Sequence, residues 1–207
     1  MTSSPPAGLP PLVRALALVW LLVYLPAYAL AYGLANFLFL CNLSVILACV
    51  GVLAESPLLI GSQAIGVLLV GPVWTLDFGC RLLTGAHLIG GTEYMWDPRW
   101  PLFTRLLSLY HVVLPPALAW GVSRLGHDRR ALRLQSAIAV AGVIAGRALG
   151  SEANINHAFV DPILKLSFEP PALHLAVVTG TLVLLVYPLS DLLLRRLVPQ
   201  RPPSPPP

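Results

Sequence analysis

The sequence predicts an all-α membrane protein, a bundle of about six transmembrane helices without a soluble domain. Two observations carry this prediction. Of the 207 residues, 57% are hydrophobic and only 11% are charged, whereas roughly a quarter of the residues in a soluble domain are charged. The apolar residues also form long continuous blocks, and a block of about 18 or more is typical of a transmembrane helix.

Six apolar blocks follow one another along the chain. A helix rises about 1.5 Å per residue, so about 20 residues cross a hydrocarbon core of about 30 Å. The predicted spans are residues 13–33, 36–54, 57–76, 102–122, 131–150 and 171–194. The first block could be a signal peptide, because Arg14 precedes it and "AYALA" offers small residues for cleavage. The apolar run continues past that point, so we expect a retained helix.

The two ends of the chain differ from the apolar blocks. They read "TSSPPAGLPP" and "PQRPPSPPP", and proline-rich segments of this kind do not enter a packed core. The sequence therefore divides into a disordered tail at 1–12, a transmembrane domain at 13–196 and a second disordered tail at 197–207.

The basic residues indicate an orientation in the membrane. The net charge is +4, but its carriers sit beside the apolar blocks rather than in one patch, which argues against a nucleic-acid partner. Six spans would place both termini on one side, with eight of the basic residues: Arg14, Arg124, Arg129, Arg130, Arg133, Arg195, Arg196 and Arg201. The other side would carry Arg81, Arg99, Arg105, Arg147 and Lys165. The positive-inside rule then puts both termini in the cytoplasm.

The opposite, outer side is where we expect any chemistry. The two long loops at 77–101 and 151–170 lie there and hold most of the acidic and amide residues. In the second span, Cys41 lies about five residues below this face, and in the fourth span His111 lies nine residues below it, so the two side chains could share one depth.

The fourth span carries further signals around His111. Thr104, Ser108 and His111 follow spacings of four and three, which places them on one helix face. Pro115 and Pro116 cannot donate the helical hydrogen bonds to the carbonyls of the preceding turn. We expect a kink there, with a carbonyl free for another partner.

A cysteine and a histidine at one depth predict covalent acyl chemistry. A thiol attacks as its thiolate, so Cys41 would need a base such as His111 to take the proton and return it to a leaving group. The resulting acyl-cysteine suits acyl transfer from a lipid ester, or hydrolysis of that ester, and hence a role in lipid metabolism. Asp77, Asp97 and Asn156 are the nearest groups on the outer side that could orient the imidazole.

The sequence is also compatible with a protein that catalyses no reaction. A cysteine in a membrane helix is often a small packing residue, and a histidine there often bonds a neighbouring helix. The chain would then be a scaffold or a small-solute-binding protein, and a homo-oligomer is compatible with either function. Cys41, Cys49 and Cys80 form neither a disulfide framework nor a metal-ligand spacing. We expect no metal and no cofactor.

Three stretches resemble the YwaF-like integral membrane proteins of bacteria. They are "LFLCNLSVIL" at 38–47, "GGTEYMWDPRWPLFTRLLSLYH" at 90–111 and "NINHAFV" at 154–160. That family is related to six-helix lipid acyltransferases and fatty-acid-ester hydrolases. The resemblance implies Cys41 as nucleophile, His111 as base and Asn156 as a supporting group, in a protein of the bacterial cytoplasmic membrane. Two positions depart from the family pattern: Phe39 replaces a polar residue, and His157 replaces a tyrosine.

Overall fold

The computed structural model describes residues 8–152, 154–161 and 165–198, and every regular element in these ranges is helical. Much of the predicted proline-rich tails, residues 1–7 and 199–207, lies outside the described residues. The α-helices are α1 (Pro11–Tyr32), α2 (Leu40–Leu53), α3 (Pro57–Val67), α4 (Val70–Thr84), α5 (Leu102–Leu107), α6 (Tyr110–Leu125), α7 (Ala131–Ala148), α8 (Pro171–Gly180) and α9 (Tyr187–Leu197). Short 3-10 helices occur at Leu34–Leu38, Glu93–Trp96 and Ile155–His157, and a π-helical segment at Thr181–Val186 joins α8 to α9.

Four helical stretches are long and apolar enough to cross a membrane, and a bent pair makes a fifth. The four are Pro11–Tyr32, Leu102–Leu125, Ala131–Ala148 and Pro171–Leu197. The bent pair is α3 and α4, whose axes differ by 43°. The remaining predicted span is α2, which has 14 residues and is therefore roughly 21 Å long, shorter than a hydrocarbon core. Six complete spans are thus not established.

The chain before α2 explains why that helix is short. Gly33 has a φ of 80°, a conformation that glycine adopts without steric cost and that ends α1. The following turn is a 3-10 helix, and Phe39 is extended with a ψ of 130°. The predicted helix at 36–54 consequently begins only at Leu40.

Helix α3 lies at the centre of the bundle, where it contacts α2, α6, α7 and α9. All six residues from Ile60 to Ile65 are buried, including the polar Ser62 and Gln63. A helix that is buried all round needs no polar face, which fits its apolar composition. The other helices pack around this axis.

The span that carries His111 breaks earlier than the prolines predict. The interruption lies at Ser108 and Leu109, and α6 continues through Pro115 and Pro116. The Pro115 ring lies against Gly71 of α4, where an added Cβ would come within 2.5 Å of the proline Cγ. Gly71 thus leaves room for the Pro115 ring between α4 and α6, and the break places His111 on the first turn of α6.

The bundle has two distinct ends. At the first, the Leu9 N–H donates to Glu55 at 2.7 Å, and His127 pairs with Asp191 of α9 at 2.7 Å. At the second, which we call the site end, the start of α2 meets the 3-10 helix Ile155–His157 and the last turn of α1 meets loop 85–101. The described chain begins and ends at the first end.

The outward faces of the helices are apolar. Leu30 of α1 is 89% exposed and Leu83 of α4 is 86% exposed, and many other large apolar side chains point outwards. Contiguous apolar surface of this extent is rare on a soluble monomer. These helices are compatible with an integral membrane protein.

Candidate functional site

A buried asparagine organises the site end between α1, α2 and α6. The Asn42 carbonyl oxygen accepts hydrogen bonds from the Tyr24 hydroxyl at 2.9 Å and the Tyr110 hydroxyl at 2.7 Å. Its amide donates to the Asn36 carbonyl oxygen at 2.8 Å. Asn42 therefore ties three segments together and fixes the Tyr110 hydroxyl beside the neighbouring residue, Cys41.

His111 is held rigidly on the first turn of α6. Its ring stacks between Trp74 at 4.4 Å and Tyr110 at 4.2 Å, measured between ring centroids. Nδ1 lies 2.8 Å from the carbonyl oxygen of Ser108. Since a carbonyl can only accept, Nδ1 carries the proton when the ring is neutral, and Nε2 is left as the basic nitrogen.

Ser108 connects this histidine to α1. The Ser108 hydroxyl and the Tyr28 hydroxyl lie 2.5 Å apart, and both side chains are buried. The same residue presents the carbonyl that binds His111. Ser108 thus supports the ring through its backbone, a role that the helical spacing of 108 and 111 indicated only in outline.

Cys41 lies on the first turn of α2, half-buried, within hydrogen-bonding reach of the Tyr110 hydroxyl. Its sulfur is 4.0 Å from the Asn42 carbonyl oxygen. Among the described residues, no hydrogen bond joins the thiol to the His111 ring. The two predicted residues nevertheless line the same two cavities.

The first cavity has a volume of about 390 Å³ and is mainly aliphatic. It extends from the site end between α6 and α8, past Leu114, Val177 and Leu182, to Gln135 and Tyr187. On α8 and α9, residues 174 and 187 are separated by a helical rise of roughly 20 Å. This cavity is therefore long as well as apolar, which suits a hydrocarbon chain.

The second cavity has a volume of about 440 Å³ and lies under loop 85–101. Aromatic side chains and the backbone of Gly90 and Gly91 form much of its wall, with Tyr94 and Trp100 on the loop side. Six residues line both cavities: Phe39, Cys41, Val70, Tyr110, His111 and His157. The predicted cysteine and histidine thus stand where an aliphatic cavity and an aromatic one meet.

Asn156 supports the start of α2 rather than the imidazole. Its carbonyl oxygen accepts from the Leu40 N–H at 2.8 Å, and its amide donates to the carbonyls of Leu38 at 2.8 Å and Gly142 at 2.9 Å. These bonds use the side chain fully and link α2 to α7. Asn156 fixes the depth of Cys41 but does not touch the thiol or the His111 ring in any described hydrogen bond.

Asp77 is fully buried and binds the loop after α4. It accepts from the N–H groups of Ile89 at 2.8 Å and Gly90 at 3.0 Å, from the Thr92 hydroxyl at 2.5 Å, and it lies 3.1 Å from Nδ1 of His87. These contacts shape the wall of the second cavity. The prediction that Asp77 orients His111 disagrees with this geometry. The Nδ1 of His111 already binds the Ser108 carbonyl.

Asp97 has no part in the cavity walls. Its carboxylate pairs with the Arg99 guanidinium at 2.6 Å, and this hydrogen-bonded contact lowers the pKa of Asp97. The residue stabilises the turn that leads into α5. It therefore does not serve as the predicted orienting group for His111.

Sequence reasoning missed the tyrosines. Tyr24, Tyr28 and Tyr32 follow one another at spacings of four on α1, and their rings contact one another in tilted and edge-on arrangements in series towards Trp100. That spacing was a usable signal, because residues four apart share one helix face. Tyr110 was also visible beside His111, but its partner Asn42 is distant in sequence.

In the described part of the chain, no group of three or more His, Cys, Asp or Glu side chains could hold a metal ion. Comparison of the chain with protein-family models, with curated proteins and with solved structures gave no match. The resemblance to YwaF-like proteins accordingly stays a prediction carried by the three quoted stretches.

Proposed function

We propose that this protein is a membrane-embedded lipid acyltransferase or lipid ester hydrolase in which Cys41 is the nucleophile and His111 the general base. The observation that carries the proposal is the position of both residues at the junction of the two cavities. A lipid ester has an apolar chain on one side of its carbonyl and a polar alcohol on the other. The junction offers a matching pair of environments with a thiol between them.

The two cavities support an assignment of the two halves of the substrate. The acyl chain would lie in the aliphatic cavity between α6 and α8, and the alcohol portion in the aromatic cavity under loop 85–101. The loop lies at the site end, which the positive-inside rule places outside the cell. The alcohol product would therefore leave on the outer side.

The geometry also supports a division of roles at the junction. His111 presents Nε2 as its basic nitrogen and is clamped between two aromatic rings, so it can accept the thiol proton without reorienting. One bridging water, or a rotation of the thiol, would connect the two groups. The Tyr110 hydroxyl donates its proton to Asn42 and lies next to the sulfur; if it turned from Asn42 to the sulfur, it would stabilise the thiolate.

One observation favours a second function, the binding of an amphipathic molecule without chemistry. The described hydrogen bonds of Cys41 run to Tyr110 and Asn42 and not to His111. If the thiol stays in that arrangement, the two cavities would hold a lipid-like ligand and release it unchanged. Covalent labelling separates the two functions.

The test is labelling of native membranes with an alkyne-tagged para-nitrophenyl ester of a long-chain fatty acid. The matched control is Cys49→Ala, since Cys49 is a buried cysteine of the same helix that lines neither cavity. We expect hydroxylamine-labile labelling of the wild type and of Cys49→Ala, and none of Cys41→Ala. Equal labelling of a stably folded Cys41→Ala variant would rule out the cysteine mechanism.

A further inference from the structure

His157 is the second histidine at the junction of the cavities. It ends the 3-10 helix Ile155–His157 and lines both cavities, as His111 does. Its φ of 60° lies in the left-handed region, which is uncommon for a residue with a side chain. Such backbone conformations persist where surrounding contacts impose them.

Contacts from two helices impose this conformation. Nε2 of His174, on α8, donates to the His157 carbonyl oxygen at 2.9 Å. On the other side, the Arg147 guanidinium of α7 donates to the Ala158 carbonyl oxygen at 3.3 Å and lies over the Phe159 ring at 4.0 Å. The loop backbone is thus fixed from both sides, while the His157 side chain remains exposed at the cavities.

Asp161 supplies a carboxylate near this imidazole. It lines the first cavity together with His157, and its charge favours the protonated ring, whereas the surrounding protein lowers the pKa of His157. The other titratable groups described around the junction are Cys41, His111 and Tyr110, the cavity tyrosines Tyr28, Tyr32, Tyr94 and Tyr187, and Arg147 and His174 on the neighbouring helices. His111, by contrast, has a neutral carbonyl as its partner.

We propose that His157 is a second catalytic histidine that serves the alcohol side of the reaction, with Asp161 as its positioning residue. This inference rests on the proposed function. It adds a group that the fixed His111 ring does not provide, because a ring clamped between Trp74 and Tyr110 cannot swing from the sulfur to the alcohol oxygen.

The proton balance is complete with two histidines. In the first step, Cys41 gives its proton to His111 and its sulfur bonds to the ester carbonyl carbon, while the bond from that carbon to the alcohol oxygen breaks and His157 protonates the departing oxygen. In the second step, water or an acceptor alcohol gives its proton to His157, and its oxygen attacks the thioester. The carbon–sulfur bond breaks, and His111 returns its proton to Cys41.

The test compares two esters of palmitate on the purified full-length protein. The para-nitrophenyl ester has a leaving group that departs without protonation, whereas monopalmitoylglycerol has an alkoxide leaving group that needs an acid. The variant is His157→Asn, since asparagine tolerates the left-handed conformation. We expect its acylation by monopalmitoylglycerol to fall about 10²- to 10⁴-fold relative to its acylation by the para-nitrophenyl ester.

Asp161→Asn provides a second variant with a pH readout. Acylation by the glycerol ester requires protonated His157, so its rate falls as the pH rises through the pKa of that ring. Removing the carboxylate lowers this pKa, so the decrease in the acylation rate should occur at lower pH than in the wild type. Asp97→Asn is the matched control, because it removes the same charge at the same end outside the cavity walls, and its profile should not move.

The outcomes separate the inference from the proposed function. If the wild type forms no acyl-enzyme with the para-nitrophenyl ester, or if Cys41→Ala still forms it, the proposed function and this inference both fall. If Cys41 is acylated but His157→Asn slows both esters equally, or neither, only the role of His157 is overturned. Selective loss with the glycerol ester, together with the shifted profile of Asp161→Asn, supports it.

Discussion

At the scale of single residues, Asn42 connects the helices behind the candidate site. Its side chain makes three hydrogen bonds, two of which hold buried tyrosine hydroxyls of α1 and α6. A buried hydroxyl without a partner costs about 1–3 kcal/mol, more than the net gain of an ordinary hydrogen bond. Asn42 therefore stabilises the fold mainly by accepting hydrogen bonds from the two buried tyrosine hydroxyls.

A double-mutant cycle checks this role. Asn42→Leu preserves side-chain volume but leaves the Tyr24 and Tyr110 hydroxyls unpaired, so we expect a loss of about 2–4 kcal/mol in the free energy of unfolding. Adding Tyr24→Phe should recover about 1 kcal/mol by removing one unpaired group. Denaturant unfolding in detergent measures both. Strict additivity of the two changes would contradict the shared hydrogen bond.

His111 can be tested by separating its two nitrogens. Asparagine can place an amide donor near the Nδ1 position and keep the bond to the Ser108 carbonyl, but it has no counterpart of basic Nε2. His111→Asn should therefore lower the acylation rate about 10²- to 10⁴-fold with a melting temperature close to that of the wild type. His111→Ala should lose both the rate and stability. Acylation of His111→Asn at the wild-type rate would exclude His111 as the base.

The sequence predicted that Cys41 and His111 share one depth, because depth along a helix follows from residue number, and the two side chains line the same two cavities. It did not identify their partners, because Asn42 with Tyr24, and Asp77 with loop 85–92, are pairs made by tertiary packing. The carboxylates were assigned to His111 from their side of the membrane alone. In the structure, Asp77 and Asp97 bind their own loop segments instead, and the Nδ1 of His111 binds the Ser108 carbonyl, which is only three residues away in the sequence.

At the scale of elements, the glycines of α7 set the position of the 3-10 helix Ile155–His157. An added Cβ at Gly146 would lie against the backbone carbonyl of Ile155, whereas one at Gly142 would meet the Leu40 side chain at 3.0 Å and the Asn156 amide at 3.2 Å. The "GVIAG" spacing, which usually brings two helices together, here admits a loop segment. That segment carries both Asn156 and His157.

The loss of stability on replacing a glycine by alanine should therefore depend on what the added Cβ meets. Gly146→Ala pushes on backbone that cannot rotate away, and we expect a loss of about 1–3 kcal/mol in the free energy of unfolding. The control is Gly180→Ala in α8, where an added Cβ meets no atom within 4 Å and the helix should gain up to about 1 kcal/mol. Thermal unfolding in detergent measures both, and a Gly146→Ala variant as stable as the control would contradict this packing.

The elements themselves were largely predictable, and their interruptions were not. Long apolar blocks predicted the helices at 13–33, 131–150 and 171–194 within a few residues of α1, α7 and the α8–α9 stretch. The break at Ser108 has no proline or glycine at the breakpoint, whereas the bend between α3 and α4 lies one turn before Pro72, which cannot donate to the Leu68 carbonyl and which the prediction of one straight span at 57–76 did not use.

At the scale of the whole molecule, the two ends of the bundle differ in charge and in content. The first end carries Arg124, Arg129 and Arg130 around the α6–α7 connection and Arg195 and Arg196 on α9. The site end carries the cavity junction and the loops that cover it. Since the described chain starts and finishes at the first end, it makes an even number of passages between the two ends, whether or not α2 alone reaches across a bilayer.

This arrangement predicts which end faces the cytoplasm. The positive-inside rule places the arginine-rich first end there and the cavity junction outside. In a background of Cys41→Ala and Cys80→Ser, a cysteine at exposed Pro98 of the site end, introduced as Pro98→Cys, should react with a membrane-impermeant maleimide on intact cells. Arg129→Cys, at the exposed α6–α7 connection, should react only after permeabilisation. The reverse pattern would mean that the site end faces the cytoplasm, and the proposed thiol chemistry would then release its alcohol product on that side.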